Sequence, residues 1–256
     1  MNNKNQIVCF GEVLWDLLPT GKVAGGAPMN VAFHLNELGA ASTMISRIGA
    51  DELGIEITNF LKEKGIDIAF VQVDTSFPTG IVEVTLSESG QPSYEIVENV
   101  AWDNIKIEPK AIKAVREADA FVFGSLVARN ETSKNTLLEL IEAAQLTVFD
   151  VNLRAPFFSK ELLHELMQKA NIVKMNDEEL EIISDFQGIE GTEKEKMKQL
   201  KKTYNLDLLV VTKGKKGAMV FFDAVFYENE GVKVTVQDTI GSGDAFLAAF
   251  LYHYLA

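Results

Sequence analysis

Asp238-Thr239-Ile240-Gly241-Ser242-Gly243-Asp244-Ala245-Phe246 is a turn of small residues that runs straight into the helical pattern Ala245–Leu255. At such a helix start the first backbone N–H groups have no acceptor inside the helix. With the positive end of the helix dipole they make a local site for an anion. Gly241 and Gly243 carry no side chains that would hold a phosphate off the backbone. Asp244 is then a carboxylate that a resting phosphate would repel, which suits a base. A hydroxyl held against it loses its proton while attacking a phosphoryl group whose charge the 241–244 amides take up. A plainer reading stays open here, since an acid in the first turn of any helix is favourable. Two other phosphate motifs are excluded. Gly21-Lys22 and Gly214-Lys215 are followed by Val23 and Lys216, which is not a GxxxxGK[ST] loop, and Phe246 stands where a GxGxxG pattern needs its third glycine.

Upstream of this turn, short β-rich runs alternate with amphipathic helical patterns. The runs are Ile7–Phe10, Thr43–Ile48, Phe70–Val73, Phe121–Phe123, Thr147–Asp150, Ile172–Met175, Leu208–Thr212 and Met219–Phe222. Helical spacing joins Val31, Leu35 and Leu38 up to Gly39, and Leu53, Ile57, Phe60 and Leu61 up to Gly65. Further helices are expected over about 132–144, 159–170, 176–183 and 192–204. This rhythm predicts an α/β fold with a mainly parallel sheet. One stretch breaks it: Thr79–Leu86 and Tyr94–Val97 alternate with period two and have no helix between them, a hairpin pattern. Leu14–Pro19 is a second extended piece outside the rhythm. Together they make either a small projecting sheet that acts as a lid or a hairpin on the edge of the main sheet.

The chain has 256 residues, 47% of them hydrophobic and 24% charged, enough for one large core. Twenty-four basic against 37 acidic residues leave a formal charge of −13, which repels nucleic acids and anionic membranes. An anionic ligand therefore needs locally supplied positive potential, such as a helix start. Cys9 is the one cysteine, so no intrachain disulfide or CxxC site exists, and His34, His164 and His253 share no metal-ligand spacing. No secretory or membrane-spanning pattern stands in the sequence, and the expected location is cytoplasmic.

Asp238–Phe246 resembles the D-T-x-G-[AS]-G-D-x-F signature of the ribokinase-like, or PfkB-type, carbohydrate kinases. Gly25-Gly26-Ala27-Pro28-Met29-Asn30-Val31-Ala32 resembles the family's second motif, in a form most similar to fructokinases. The resemblance spans nearly the whole chain. It implies a three-layer αβα sandwich with a small β lid, here about residues 12–24 and 76–104. It also implies an ATP-dependent sugar kinase acting on a hydroxymethyl group, with fructose the first substrate to test. Kinases of 2-keto-3-deoxygluconate, ribose or nucleosides share the fold, and a non-catalytic sugar-binding relative is an alternative of another class.

By the same resemblance Asp244 is the base and the 241–244 backbone, with Ser242, the anion hole. Asp16, Gly25, Gly26, Asn30, Tyr94 and Arg154 meet the sugar, with Tyr94 and the Glu98–Trp102 segment closing over it. Arg154, in Asp150-Val151-Asn152-Leu153-Arg154, reads equally as a structural ion pair. Asn176 and Glu179 match an N-x-x-E element tied to magnesium and phosphate, and the same spacing is a helix-capping pattern. Thr212 and Gly214 match a nucleotide-contacting turn, and Asp238 a monovalent-cation position where K+ would bind. Magnesium is expected to arrive with ATP. A homodimer through the lid is expected as well. Relatives continue beyond the position of Ala256, so the elements that complete their adenine pocket are expected to be missing from this chain. Independently of the family, Asp150, Asn176 and Thr212 each end an expected strand, the edge at which open α/β sheets bind ligands.

Overall fold

Strands that are apolar at both odd and even positions need cover on two sides. In Ala120–Gly124, Phe121 and Phe123 pack into one hydrophobic cluster, Ala120 and Val122 into another. Leu208–Thr212 divides the same way, Leu209 and Val211 against Leu208 and Val210. The computed structural model, which describes residues 4–18, 20–86, 92–232 and 241–256, is accordingly a three-layer fold; for 84–86 and 92–94 the backbone alone is described.

The large sheet runs in the order β13 (Val225–Asn229), β12 (Ala218–Phe222), β11 (Leu208–Thr212), β10 (Ile172–Asn176), β9 (Thr147–Asp150), β8 (Ala120–Gly124), β1 (Gln6–Phe10), β4 (Ala41–Gly49), β5 (Asp67–Asp74). Strands β11 through β5 in this order are parallel, and β12 and β13 return antiparallel. One face is covered by α1 (Ala27–Leu38), α2 (Glu52–Glu63) and α8 (Ser242–Tyr254). The other carries α3 (Pro109–Glu117), α4 (Glu131–Ala143), α5 (Lys160–Gln168), α6 (Asp177–Gln187) and α7 (Glu193–Thr203). The chain starts mid-sheet at β1, builds outward to β5, then crosses to β8 and builds the other half, so the topology reverses beside β1. Ligand crevices form at such a reversal, outside the carboxyl ends of the strands.

The α/β expectation holds, and the additions to it have simple causes. Helix α3 is short and buries only Ala111 and Val115, and β13 is an edge strand with mostly exposed residues. The hairpin does not decorate the main sheet. Its strands β6 (Gly80–Leu86) and β7 (Pro92–Ile96) join β2 (Leu14–Leu18) and β3 (Gly21–Gly25) in a separate sheet of order β3-β2-β6-β7.

Both ends of that hairpin are tied to the body. Asp51, which caps α2 by accepting the Gly54 N–H (2.8 Å), also accepts the Thr79 N–H (2.8 Å) and hydroxyl (2.6 Å). At the far end Arg129 donates from Nη2 to the Val97 carbonyl (2.7 Å) and pairs with Asp103 through Nε (2.7 Å) and Nη2 (2.9 Å). The guanidinium also lies over the Trp102 ring, 4.0 Å from its centre. Trp102 is fully buried in this arrangement, so it belongs to the core and does not close over a ligand as the sequence reading expected.

Candidate active site

A cleft of about 1030 Å³ opens between the small sheet and the carboxyl edge of the large one. Asp16, Gly26, Asn30, Arg154, Asn176, Glu179, Thr212, Gly214, Gly241, Ser242, Gly243 and Asp244 all line it. Of the remaining expected residues, Gly25 stands behind Asp16, where any Cβ would collide with the Asp16 carboxylate. Asp238 lies outside the described residues, as does the side chain of Tyr94.

The start of α8 has the form expected for an anion site. Gly241 takes φ +72° at the N-cap, a left-handed conformation that suits glycine, and no side chain caps the helix. The first backbone bond of the helix runs from the Ala245 N–H to the Gly241 carbonyl (2.9 Å). Gly243 has a further role that was not foreseen: a Cβ there would come 3.0 Å from Lys174 Nζ, so the missing side chain makes room for an ammonium group.

Asp244 is 8% exposed, and Asn30 Nδ2 donates to its Oδ2 at 2.8 Å across 214 residues of sequence. The packing of α1 against α8 creates this bond. Asn30 was expected to meet a sugar, and the structure adds a tie to the carboxylate.

Around Asp244 lie charged groups that no sequence motif singled out. Lys174 points from β10 with Nζ 2.9 and 3.2 Å from the two Asp150 oxygens, and both side chains are buried. Burial pushes the Asp150 carboxyl up to about 6, with Lys174 limiting the rise and Asp244 and Glu179 adding to it. Burial works against the Lys174 charge, but Asp150, Glu179 and Asp244 outweigh it and hold its pKa above the ordinary lysine value. The ammonium therefore stays charged beside the helix start. Its trace in the sequence is faint: a lysine inside the apolar run Ile172–Met175, two residues before Asn176 and so on the same face of the strand.

Glu12 is the other residue the sequence reading passed over. It is 3% exposed, its Oε1 accepts the Ala27 N–H at 3.2 Å, and its Oε2 has no partner among the described residues. Burial raises its pKa to about 7, against backbone hydrogen bonds and the charge of Arg154, while Asp244 adds to the rise. Asp16 is also raised by burial, with Arg154 acting the other way.

Arg154 makes no ion pair among the described residues; its Nη1 bonds the Leu153 carbonyl (2.9 Å) at the exposed rim of the cleft. Asn176 and Glu179 form a reciprocal capping box on α6, with bonds of 2.7 and 2.8 Å. The second Glu179 oxygen accepts the Leu153 N–H at 2.8 Å, so this carboxylate fixes the loop that carries Arg154. Thr212 ends β11, and Gly214, at φ +52°, opens the turn after it. No group of three or more His, Cys, Asp or Glu side chains among the described residues is arranged to hold a metal ion. No helix among them is long and apolar enough to cross a membrane.

A helix start open to an anion, a carboxylate beside it and a second sheet facing both, on a doubly covered α/β sheet, make the ribokinase-like arrangement. Residues 4–256 match the pfkB family carbohydrate kinase model, and the chain belongs to that family of carbohydrate kinases. Among curated relatives, the probable fructokinase-4 of Arabidopsis thaliana is 30% identical over 97% of this chain and 82% of its own length. A sugar kinase from Pyrococcus horikoshii solved in complex with ATP is 30% identical, with a TM-score of 0.82 over 96% of this chain and 83% of that one. The apo fructokinase of Vibrio cholerae O395 is 26% identical, with a TM-score of 0.84 over 99% of this chain and 90% of its own.

Proposed function

We propose that this kinase transfers the γ-phosphoryl group of ATP to a hydroxymethyl group of a small sugar, fructose, with Asp244 as the base. The observation that carries the reading is the Asn30–Asp244 bond at the first turn of α8. One oxygen of Asp244 is held by an amide, and the residue lines the cleft beside backbone N–H groups suited to an anion. The fructokinases among the relatives support the sugar, and the ATP-bound sugar kinase supports the donor.

In this reading the sugar rests on Asp16, Gly26 and Asn30 under the small sheet. The half-buried carboxylate of Asp16 accepts hydrogen bonds from its hydroxyls. As the attacking hydroxyl oxygen bonds to the γ-phosphorus, its proton passes to Asp244, the bond from phosphorus to the bridging oxygen breaks, and ADP leaves. The 241–244 amides, with Lys174 and Arg154 near by, meet the charge on the transferring group. Magnesium would enter with ATP, held by the phosphates and water, and would supply positive charge to the transferring group.

ADP release measured over fructose, 2-keto-3-deoxygluconate, ribose and nucleosides tests the substrate, with fructose expected to give the highest kcat/KM. Asp244→Asn is expected to cut turnover at least ~10³-fold while sugar affinity stays within about an order of magnitude. Near-normal turnover in that variant refutes the base.

A further inference from the structure

Helix α1 begins without a cap of its own. Gly26 stands at its N-cap with φ +115°, and no side chain there can take a first-turn N–H. The missing acceptor comes from Glu12, fifteen residues earlier, whose Oε1 bonds the Ala27 N–H. The Glu12 backbone takes part as well: its carbonyl oxygen lies where a Cβ on Gly26 would be, so Gly26 and Glu12 pack face to face. One turn into α1, the Asn30 N–H closes the first backbone bond to the Gly26 carbonyl (2.9 Å), and the Asn30 side chain reaches Asp244. Glu12, Ala27, Asn30 and Asp244 thus form a continuous chain from the end of β1 to the start of α8.

We infer that Glu12 is a positioning residue for Asp244: it fixes the first turn of α1 so that the Asn30 amide holds one carboxylate oxygen and leaves the other to the acceptor hydroxyl. The inference rests on the proposed role of Asp244. The load falls on Oε1, an acceptor that a carboxamide oxygen reproduces, whereas Oε2 makes no bond among the described residues. Glutamine at position 12 therefore keeps the device and alanine removes it, because no other described group bonds the Ala27 N–H.

The test compares Glu12→Ala, Glu12→Gln, Asn30→Ala and the Glu12→Ala/Asn30→Ala double variant of the full chain. Expected are a kcat loss of at least ~10-fold in Glu12→Ala, recovery to within about 3-fold of wild type in Glu12→Gln, and a double variant no worse than Asn30→Ala alone. Multiplying effects in the double variant, or a Glu12→Gln enzyme as slow as Glu12→Ala, overturns the inference. A second readout does not depend on activity. The Asn30 side-chain amide resonance, displaced by its bond to Asp244, should move toward the free-amide position in Glu12→Ala and stay in Glu12→Gln. An unmoved resonance in Glu12→Ala overturns the positioning role. A chain that phosphorylates no sugar yet shows the expected resonance changes refutes the proposed function and leaves the positioning of Asp244 standing.

Discussion

Lys174→Met removes the only described partner of a buried carboxylate. In the folded chain Lys174 Nζ lies 2.9 and 3.2 Å from the Asp150 oxygens, with the two side chains 7% and 4% exposed. Breaking such a pair from one side costs about 3–5 kcal/mol, because the remaining charge is stranded in a medium that solvates it poorly. Asp150 already titrates near 6 with the lysine present, against 3.8 for an ordinary aspartate, and losing the cation raises it further. A raised carboxyl pKa means that the folded chain binds the proton more tightly than the unfolded one. The stability linked to that proton is fully present below the unfolded value and is lost as pH rises through the folded one. The variant's deficit therefore grows as pH rises above about 6 and shrinks as Asp150 takes up its proton. Urea unfolding followed by the fluorescence of the two buried tryptophans, Trp15 and Trp102, reads it out. Expected is a loss of about 2–3 kcal/mol at pH 8, since taking up a proton there limits the penalty, seen as a midpoint lower by about 1 M, and less than half that loss at pH 5. Lys174→Met/Asp150→Asn should recover at least half of the loss at pH 8, since no net charge is then left unpaired. A single variant that loses under about 1 kcal/mol, or equal amounts at both pH values, refutes the reasoning.

Arg129→Met strands Asp103, which is 3% exposed in the ion pair, and frees the Val97 carbonyl at the end of β7; a loss of about 3 kcal/mol or more by the same denaturation is expected, and a neutral variant would show that the ion pair does not hold the hairpin. Glu12 rises on folding from 4.5 to about 7, so its burial favours the protonated form, and that contribution, about 3 kcal/mol, is lost as pH climbs from 4.5 through 7. Glu12→Gln lacks this titration; the stability difference between variant and wild type should therefore shift by about 3 kcal/mol in favour of the variant between pH 4.5 and pH 8, and a difference flat with pH contradicts the buried carboxyl.

The sequence by itself determined the layers and the edge. Strands that are apolar on both faces demand helices on both, and Asp150, Asn176 and Thr212 at strand ends, with the glycine turn before Asp244, mark where a ligand meets the sheet. These are local properties, a period, a cap, a glycine at positive φ, and they are written in adjacent residues. What required the fold was every relation across long separations. Asn30 meets Asp244 only because α1 and α8 lie side by side on one face. Lys174 reads as an oddity in an apolar strand until Asp150 on the neighbouring strand is placed against it. Trp102, read as part of a lid, is drawn into the core by Arg129 and Asp103. Glu12 shows no role in its own segment, since the helix it caps begins fifteen residues later, across the turn made by β2 and β3. Periodicity records which face of an element is buried, but not which charges the burial brings together, and the electrostatics of this site are made of those pairings.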